Sequence, residues 1–465
     1  MFCSCVVVDN TEALPNTAVC PVCCGMPGTL PVINKRAVEL AIRAAVALEC
    51  QITNTSIFAR KNYFYPDLPK GYQISQYEHP LAEHGRLLIH TSKGEKYIRI
   101  HRVHLEEDTG KLTHIENEEE SYSLVNLNRA GVPLLEIVSE PDLHSVEDVA
   151  AYSRELRLLL RTIGVSSGDM EKGTMRFEAN LSMRPETSKD LGTRVEVKNL
   201  NSFRAMEDAI IYQMEIQKKT LQAGKFVTQE TLGWDANAGK TYPQRNKENA
   251  NDYRYFPEPD LPPLIVNDEW ISKVTHSIPE LPNEKRKRYQ ANYCLQPNDI
   301  ARLLDDENAA TFFEECVRVS PDLPPQAIVN WLFTDLYALI NLNGTTINNI
   351  KTTAADFTDL IQLVQSGIIN QTSAKDILRE MLNSGASAST IVKERGLEQI
   401  SETGEIAMFV NQVLEKHAKE VGDYLAGKET IANWLFGQVM RAAGGKANPQ
   451  VVKNILYRKL EEMNA

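Results

Sequence analysis

The sequence predicts an α+β protein in which a mixed α/β region precedes two helical regions. Through residue 280, strand-like alternation and amphipathic helical patterns are interleaved, which is typical of mixed domains. After the proline-punctuated segment "PELPNEKRKRY", helical patterns dominate, and they break once more near "GLEQISETGE". We therefore predict three domains, at residues 1–280, 281–395 and 396–465.

Capping residues and periodicity define the elements of the first region. A helix over "NKRAVELAIRAAVALEC" begins after Asn34, a second begins after Ser145 and ends at Gly164, and a third follows Ser202. "GRLLIHTSKGEKYIRIHRVHL" predicts two strands joined by a Ser-Lys-Gly turn. "GWDANAGKT" ends in Gly-Lys-Thr, but its glycines are one residue too far apart for a P-loop, so we interpret it as a hairpin turn.

Two strand patterns of period two predict one wall of a polar cleft. In "TMRFEANLSM" and "TRVEVKNLNSF", apolar residues alternate with polar ones, which indicates half-buried strands. Their polar faces include Arg176, Asn180 and Lys198. A solvated sheet face is the alternative interpretation, but the mixture of charges and amide groups also suits contact with a substrate.

The charge balance argues against a general nucleic-acid coat. The 50 Lys and Arg residues against 62 Asp and Glu residues give a net charge of −12, whereas nonspecific phosphate binding requires a basic excess. Near the C-terminus, however, five basic residues occur with no acidic residue between them: Arg441, Lys446, Lys453, Arg458 and Lys459. They predict contact with an RNA backbone, with a solvated helix face as the alternative.

The N-terminal residues lack a basic segment followed by an apolar stretch, and no apolar run approaches the length of a membrane span. We therefore expect a cytoplasmic protein.

Five of the eight cysteines lie in the first 24 residues. In a reducing compartment this clustering favours a metal over disulfides. Cys3, Cys5, Cys20 and Cys23 form two close pairs that could close a tetrahedral zinc site in the segment 3–23. Free thiols are the alternative, and Cys24, a fifth thiol, leaves the choice of ligands open.

The acidic stretch "HLEED" suggests a site for a hard cation. Glu106, Glu107 and Asp108 follow a predicted strand, and Glu136 interrupts the apolar strand "VPLLEIV", where an isolated carboxylate is unfavourable. Magnesium prefers oxygen ligands and would hold together carboxylates that converge from two strands. Because side chains alternate between faces, at most two of the three consecutive acids can share a cleft. A salt-bridged or solvated loop is the alternative.

The segment "KNYFYPDLPKGYQISQY" places Lys61, Tyr63 and Tyr65 among Pro and Gly, and "NDYRYFPEPD" has a similar composition. Aromatic rings and lysine in irregular backbone suit base stacking and phosphate contact. A hydrophobic loop packed on the sheet is the alternative. The sequence contains no evident Ser–His or His–Cys pair, so we do not expect a hydrolase that acts through its own nucleophile.

Taken together, these segments closely resemble the B subunit of aspartyl/glutamyl-tRNA amidotransferase. They run in family order across essentially the whole chain, and they include "RKNYFYPDLPKGYQISQY", "HLEEDTGK", "LVNLNRAGVPLLEIVSEPD", "EVKNLNSF", "DYRYFPEPDLPPL" and "GQVMRAAGGKANPQVV". The resemblance implies a carbon–nitrogen ligase that uses ATP and magnesium and takes its amido nitrogen from glutamine. It also implies a heterotrimer with an amidase A subunit and a small C subunit. The B subunit would phosphorylate the side-chain carboxylate of misacylated Glu-tRNA(Gln) or Asp-tRNA(Asn), and ammonia would then displace the phosphate.

The resemblance also assigns roles to residues. Glu107 and Glu136 would be catalytic magnesium ligands, and Lys61, Tyr63 and Tyr65 would line the same cleft. The first domain would be cradle-shaped, the tail would recognise tRNA, and the paired cysteines match family members that bind zinc. The family begins with a strand of the type Gly-Leu-Glu-x-His that completes the magnesium site. Because this sequence starts at "MFCSC", we expect a longer natural chain.

Two other functions stay open at this point. One is a non-catalytic subunit that binds tRNA or supports assembly, which would bind tRNA without turning over ATP. The other is a metal-dependent phosphatase or nuclease built on the carboxylates, which would release phosphate without glutamine or a partner subunit.

Overall fold

A computed structural model describes residues 1–9, 11–117, 120–245, 253–397, 403–444 and 447–464. The chain divides into two compact units, residues 1–285 and 286–465. The first unit mixes helices and sheets and the second is helical, which confirms the predicted α+β class. The division of the helical part at residue 396 stays a prediction.

The first unit contains short and long strands. The strands are β1 Gln51–Ile52, β2 Thr55–Ser56, β3 Ala59–Asn62, β4 Tyr72–Ser75, β5 Ala82–Thr91, β6 Gly94–Glu107, β7 Lys111–Glu116, β8 Ser121–Asn126, β9 Pro133–Ser139, β10 Phe177–Leu181, β11 Val195–Leu200, β12 Thr231–Asp235, β13 Lys240–Arg245, β14 Phe256–Pro257 and β15 Leu264–Ile265. The helices that accompany them are α1 Lys35–Ala47, α2 Val146–Thr162, α3 Phe203–Gln222 and α4 Asp268–His276.

The central sheet has the order β1-β5-β6-β9, and its neighbouring strands are antiparallel. Strands β5 and β6 form the predicted hairpin around a tight turn. Helices α1 and α2 cover this sheet, and their apolar residues share one buried cluster with the sheet residues Ile98 and Ile100. The predicted N-caps are confirmed, since the side chains of Asn34 and Ser145 accept backbone hydrogen bonds at the starts of α1 and α2.

The second sheet has the order β10-β11-β12-β13, with α3 connecting the parallel strands β11 and β12. Strands β12 and β13 form the hairpin predicted at "GWDANAGKT". Gly233 lets Tyr242 pack closely there, because a Cβ atom at this position would lie 2.5 Å from Cζ of Tyr242 and would displace the ring. The inner face carries Val195 and Val197, both buried, and the opposite face is polar as the alternation predicted.

Smaller sheets complete the first unit. Strand β3 lies between β14 and β4, β15 pairs with β2, and β7 pairs with β8. The pairing of β14 with β3 brings the two aromatic segments of the sequence together, since Phe256 lies opposite Arg60.

The helical part begins with α5 Pro282–Tyr293. It continues with α6 Pro297–Asp305, α7 Glu307–Val319, α8 Pro325–Trp331, α9 Tyr337–Leu342, α10 Ala354–Gln365, α11 Gln371–Ser384, α12 Ala388–Arg395, α13 Thr403–Lys416, α14 Ala418–Leu425, α15 Ile431–Ala442 and α16 Pro449–Asn464. One buried cluster draws on α13 to α16 and on residues between them, from Ile406 to Leu460. Among the described residues, none of the helices combines the length and apolar character that crossing a bilayer requires.

We predict that Ile98→Ala destabilises the first unit far more than the same change at Ile265. Ile98 is fully buried in the main cluster, whereas Ile265 is 60% exposed on β15. The buried truncation should lower the free energy of unfolding by about 2–5 kcal/mol, because it removes apolar contacts and leaves a cavity. Urea unfolding of the full chain measures the difference, and similar shifts for both variants would contradict the core assignment.

Candidate functional site

Strands β6 and β9 bring together three side chains of types that can bind a metal ion. His104 lies directly opposite Glu136 in the strand register, and Glu106 lies two residues after His104 on the same face of β6. His104 Nε2 is 3.8 Å from a Glu136 oxygen and 4.0 Å from a Glu106 oxygen. One ligand atom from each residue lies within 4.8 Å of the others. We call these three residues the acidic cluster.

Burial disfavours the charged forms of two members of the acidic cluster, His104 and Glu106. Desolvation lowers the pKa of His104 to about 3, and the nearby Arg102 and Lys61 add to this effect. The imidazole is therefore neutral and cannot offset the carboxylates. The pKa of Glu106 is raised to about 7, mainly by desolvation; the charge of Lys61 opposes this rise and the charge of Glu136 contributes to it.

The donor set fits a divalent cation. It offers two carboxylate oxygens and one neutral imidazole nitrogen from a rigid strand pair, and Glu136 remains 45% exposed towards solvent. Within the described residues, the buried Nδ1 atom of His104 has no hydrogen-bond partner. Carboxylates suit Mg²⁺ and Mn²⁺, while the imidazole also accepts transition metals. The sequence-based prediction of a metal at converging carboxylates therefore keeps its physical basis.

The structure does not bring Glu107, the magnesium ligand that the resemblance implies on β6, to the acidic cluster. Glu107 lies on the opposite face of the strand, where its carboxylate forms an ion pair with Lys70 and accepts a hydrogen bond from Ile74 N at 2.8 Å. It is 3% exposed. The period-two rule could have separated it from Glu136, because His104 and Glu106, but not Glu107, share a face.

Asp108 takes no part in the acidic cluster. Its carboxylate lies 3.2 Å from Arg129 Nε and 2.7 Å from an Arg176 nitrogen. Arg129 also donates to the carbonyl oxygens of Thr109 and Gly110. The third member of the "EED" stretch is thus neutralised by arginine, and the predicted cleft residue Arg176 contacts the acidic stretch through it.

Four tyrosines lie around Lys61 or in the connected series of rings beside it, close to the acidic cluster. We call Tyr63, Tyr77, Tyr253 and Tyr255 the aromatic wall. The Lys61 ammonium group lies 5.0 Å from the ring centre of Tyr253 and 5.8 Å from that of Tyr63. Tyr77 and Tyr255 stack face to face with their centres 4.2 Å apart. Desolvation raises the pKa of Tyr63 and the charge of Glu106 adds to this rise, while the charge of Lys61 acts on the pKa of Glu106 in the opposite direction. Lys61 and Tyr63 therefore lie close to the acidic cluster.

Other predicted cleft residues lie apart from these contacts. Tyr65 is 53% exposed and sits in the turn that follows β3. Asn180 and Lys198 lie on the polar side of the second sheet, where Lys198 donates to Glu178 at 3.0 Å. Their substrate contacts stay predictions.

A buried ion pair holds the part of the aromatic wall that includes Tyr253 and Tyr255 next to strand β3. Arg60 donates to both carboxylate oxygens of Glu258 at 2.7 Å, and Glu258 is 2% exposed. Asn62 Nδ2 donates to the Arg254 carbonyl oxygen at 2.9 Å. These bonds hold the segment with Tyr253 and Tyr255 against β3, which carries Lys61.

The four predicted zinc ligands come together at a second site. The Sγ atom of Cys23 lies 3.4 Å from Cys3, 3.6 Å from Cys20 and 3.8 Å from Cys5. Tetrahedral zinc–thiolate bonds of about 2.3 Å would place the sulfurs about 3.8 Å apart. The group of these four cysteines, which we call the cysteine cage, therefore fits this metal. A fifth thiol, Cys24, does not belong to the group within 4.8 Å.

The basic residues of the tail lie on α15 and α16. Arg441, Lys453 and Arg458 are exposed, and Lys459 is half-buried. Arg458 also approaches Glu462 at 3.9 Å, one helical turn away. The predicted fifth member, Lys446, lies outside the described residues. RNA contact by this surface stays a prediction.

The fold and the two clusters define a two-unit protein whose mixed α/β unit carries a candidate divalent-metal centre. Residues 1–272 match the family model of the GatB/GatE catalytic domain, and residues 311–460 match that of the GatB domain. The chain belongs to the family of B subunits of aspartyl/glutamyl-tRNA(Asn/Gln) amidotransferase.

Relatives of the same printed name cover nearly the whole chain. The protein from Persephonella marina is 47% identical over 460 residues, which are 99% of this chain and 96% of the relative. The one from Thermodesulfovibrio yellowstonii is 44% identical, with 99% and 96% covered. The one from Myxococcus xanthus is 45% identical, with 99% and 95% covered.

We predict that Glu106→Gln weakens divalent-cation binding whereas Glu107→Gln mainly lowers stability. The first change removes a ligand oxygen's charge from the acidic cluster, and the second leaves Lys70 without its carboxylate partner. Mn²⁺ titration followed by electron paramagnetic resonance should show a loss of about tenfold or more for Glu106→Gln. Glu116→Gln, an exposed change on β7, is the matched control. A greater loss of affinity in Glu107→Gln would restore the sequence-based choice.

We also predict that Cys23→Ser abolishes zinc retention whereas Cys24→Ser leaves it intact. Cys23 has three sulfur neighbours in the cage, and Cys24 lies outside it. Zinc per chain, measured by mass spectrometry of the metal after purification, should fall to near zero only in the first variant. Full zinc content in Cys23→Ser would contradict the assigned ligand set, and absence of zinc from the unchanged chain would show that the cysteines are free thiols.

Proposed function

We propose that this chain is the transamidating subunit of a tRNA-dependent amidotransferase. In this proposal it acts on Glu-tRNA(Gln), Asp-tRNA(Asn) or both, with ATP, and with ammonia that an amidase A subunit releases from glutamine. A small C subunit completes the heterotrimer. The observation that carries the proposal is the acidic cluster beside Lys61, in a chain whose relatives at 44–47% identity bear this activity in their names.

The reaction needs an activated carboxylate. A side-chain carboxylate is a poor acyl donor until one of its oxygens becomes part of a better leaving group. In the proposed sequence, that oxygen attacks the γ-phosphorus of ATP, the bond to the β–γ bridging oxygen breaks and ADP leaves. Ammonia then attacks the acyl carbon, the bond to the phosphate oxygen breaks and inorganic phosphate leaves with the formation of the amide.

The residues of the site suit this chemistry. Phosphoryl transfer depends on positioning and positive charge more than on a protein nucleophile. His104, Glu106 and Glu136 would hold the magnesium, which supplies charge neutralisation for the phosphates. Lys61 supplies a second positive charge, and the tyrosines beside it limit access of water and orient the reacting groups.

The tail and the second sheet supply the remaining proposed contacts. Arg441, Lys453, Arg458 and Lys459 would bind the tRNA backbone, because exposed guanidinium and ammonium groups pair with phosphates. Arg176, Asn180 and Lys198 would line the part of the cleft farther from the acidic cluster. The cysteine cage would hold zinc in a structural role, since all four positions are taken by protein thiolates.

We predict that Glu136→Gln abolishes amidation but leaves tRNA binding unchanged. The substitution removes a ligand charge at the acidic cluster and keeps the side-chain size, and the residue is partly exposed. Formation of Gln-tRNA or Asn-tRNA by the reconstituted complex, and ATP-dependent release of phosphate, should both fall by at least about 100-fold. Glu116→Gln is the control.

Two outcomes would contradict the proposal. Full amidation by Glu136→Gln would favour the non-catalytic tRNA-binding subunit. Phosphate release by the chain alone, without glutamine, tRNA or partner subunits, would favour the phosphatase.

We predict that Arg441→Ala with Lys453→Ala weakens tRNA binding and flattens its salt dependence. Each lost phosphate contact should reduce the slope of log affinity against log salt by about 1. Lys393→Ala, an exposed change on α12, is the control. Filter binding at several salt concentrations measures the slope, and an unchanged slope would assign the surface to solvent.

A further inference from the structure

The cysteine loop, residues 3–24, is hydrogen-bonded to the turn that leads into β9. The contacts involve the loop residues Leu14, Asn16 and Ala18 and the segment 125–128, more than 100 residues away in sequence. We call these hydrogen bonds the junction. Because β9 carries Glu136, the junction connects the loop that carries the cysteine cage to the acidic cluster within the first unit.

Asn16 forms one half of the junction. Its backbone has a left-handed φ of 59°, which turns its amide towards the segment. Asn16 Nδ2 donates to the Val125 carbonyl oxygen at 3.0 Å, and Asn16 Oδ1 accepts from Leu127 N at 2.7 Å. The side chain therefore pairs with backbone as a neighbouring strand would.

Asn128 forms the other half and is 2% exposed. Its Oδ1 accepts from Ala18 N at 2.9 Å, and its Nδ2 donates to the Leu14 carbonyl oxygen at 2.8 Å. Both of these bonds go to the cysteine loop. If the loop moved away, a buried amide would lose its partners, so the turn would have to rearrange.

The turn after Asn128 continues directly into the metal-binding strand pair. Gly131 N donates to the Asp108 carbonyl oxygen at 2.9 Å, and Asp108 N donates to the Val132 carbonyl oxygen at 2.8 Å. The ladder then pairs Pro133 with Glu107 and reaches Glu136 opposite His104. The position of this turn therefore influences the register at which Glu136 meets His104 and Glu106.

We propose that zinc in the cysteine cage tightens divalent-cation binding at the acidic cluster, with Asn16 and Asn128 as the positioning residues that couple the two sites. The proposal rests on the proposed function for the identity of the two metals. Zinc closes the cysteine loop, the closed loop presents Leu14, Asn16 and Ala18, and the turn is held where Glu136 faces His104. The coupling is reciprocal, since the two metals favour the same conformation.

The test uses the full chain with Mn²⁺ alone as the probe. Mn²⁺ affinity is measured by electron paramagnetic resonance in zinc-loaded protein and in Cys23→Ser, which lacks zinc without any chelator. The same titrations are made in Asn128→Ala and Asn16→Ala, each with and without Cys23→Ser. Thr11→Ala is the matched control, because the hydroxyl of this exposed loop residue donates to Asp9 Oδ1 at 2.6 Å and not to the Leu14 carbonyl oxygen that Asn128 uses.

We expect zinc loss to weaken Mn²⁺ binding about tenfold and to change its spectrum. Asn128→Ala should weaken Mn²⁺ binding by a similar factor in zinc-loaded protein. Adding Cys23→Ser to Asn128→Ala should cause little further loss of Mn²⁺ affinity, because both changes disrupt the same junction. Asn16→Ala, an exposed change, gives the same comparison if Asn128→Ala does not fold. Thermal unfolding is recorded in parallel, since a merely structural role would lower the melting temperature without altering the Mn²⁺ spectrum.

Equal Mn²⁺ affinities with and without zinc would overturn the coupling, and so would fully additive losses in the double variants. In each of these cases Glu136→Gln would still weaken Mn²⁺ binding, and the proposed function would stand. Mn²⁺ binding that is insensitive to Glu136→Gln would instead overturn the metal centre itself, and the coupling with it.

Discussion

The desolvation of Glu106 beside a neutral, buried histidine and a second carboxylate, Glu136, is the constraint around which the first unit is arranged. Glu106 and Glu136 reach the same place because β6 and β9 pair in one register, and His104 cannot relieve them since burial keeps its pKa low. Lys61 lowers the pKa of Glu106 but does not return it to an ordinary value. A carboxyl group whose pKa is raised by burial lowers the stability of the fold where it is ionised, and such groups are enriched at functional sites.

The rest of the unit fixes the backbone around that cluster. On the far side of β6, Glu107 is locked by Lys70 and by the amide of Ile74, so the strand cannot rotate its acidic residues. The ion pair between Arg60 and Glu258 holds the segment with Tyr253 and Tyr255 next to β3. The cysteine loop supports the turn before β9. Each of these contacts includes a buried or half-buried polar group, and its loss would leave a partner without a hydrogen bond. Side chains on such rigid elements are positioned more accurately than side chains on free loops.

The sequence predicted local structure and the choice of segments better than it predicted contacts. Helix caps at Asn34 and Ser145, the hairpins and the cysteine cage followed from short-range chemistry. The preference for Glu107 over Glu106 came from the family resemblance, although alternation alone separates Glu107 from His104. The pairing of His104 with Glu136 and the roles of Arg129, Tyr255 and Asn128 depend on strand register and on contacts between distant segments, which no local pattern specifies.

The proposed function depends on one divalent cation between His104, Glu106 and Glu136. Anomalous diffraction from crystals of the complex grown with Mn²⁺ would locate this metal without reference to activity. We expect an anomalous peak in bonding contact with all three side chains and a second, zinc-specific peak among Cys3, Cys5, Cys20 and Cys23. A Mn²⁺ peak bound by Glu107, or none at the acidic cluster, would contradict it.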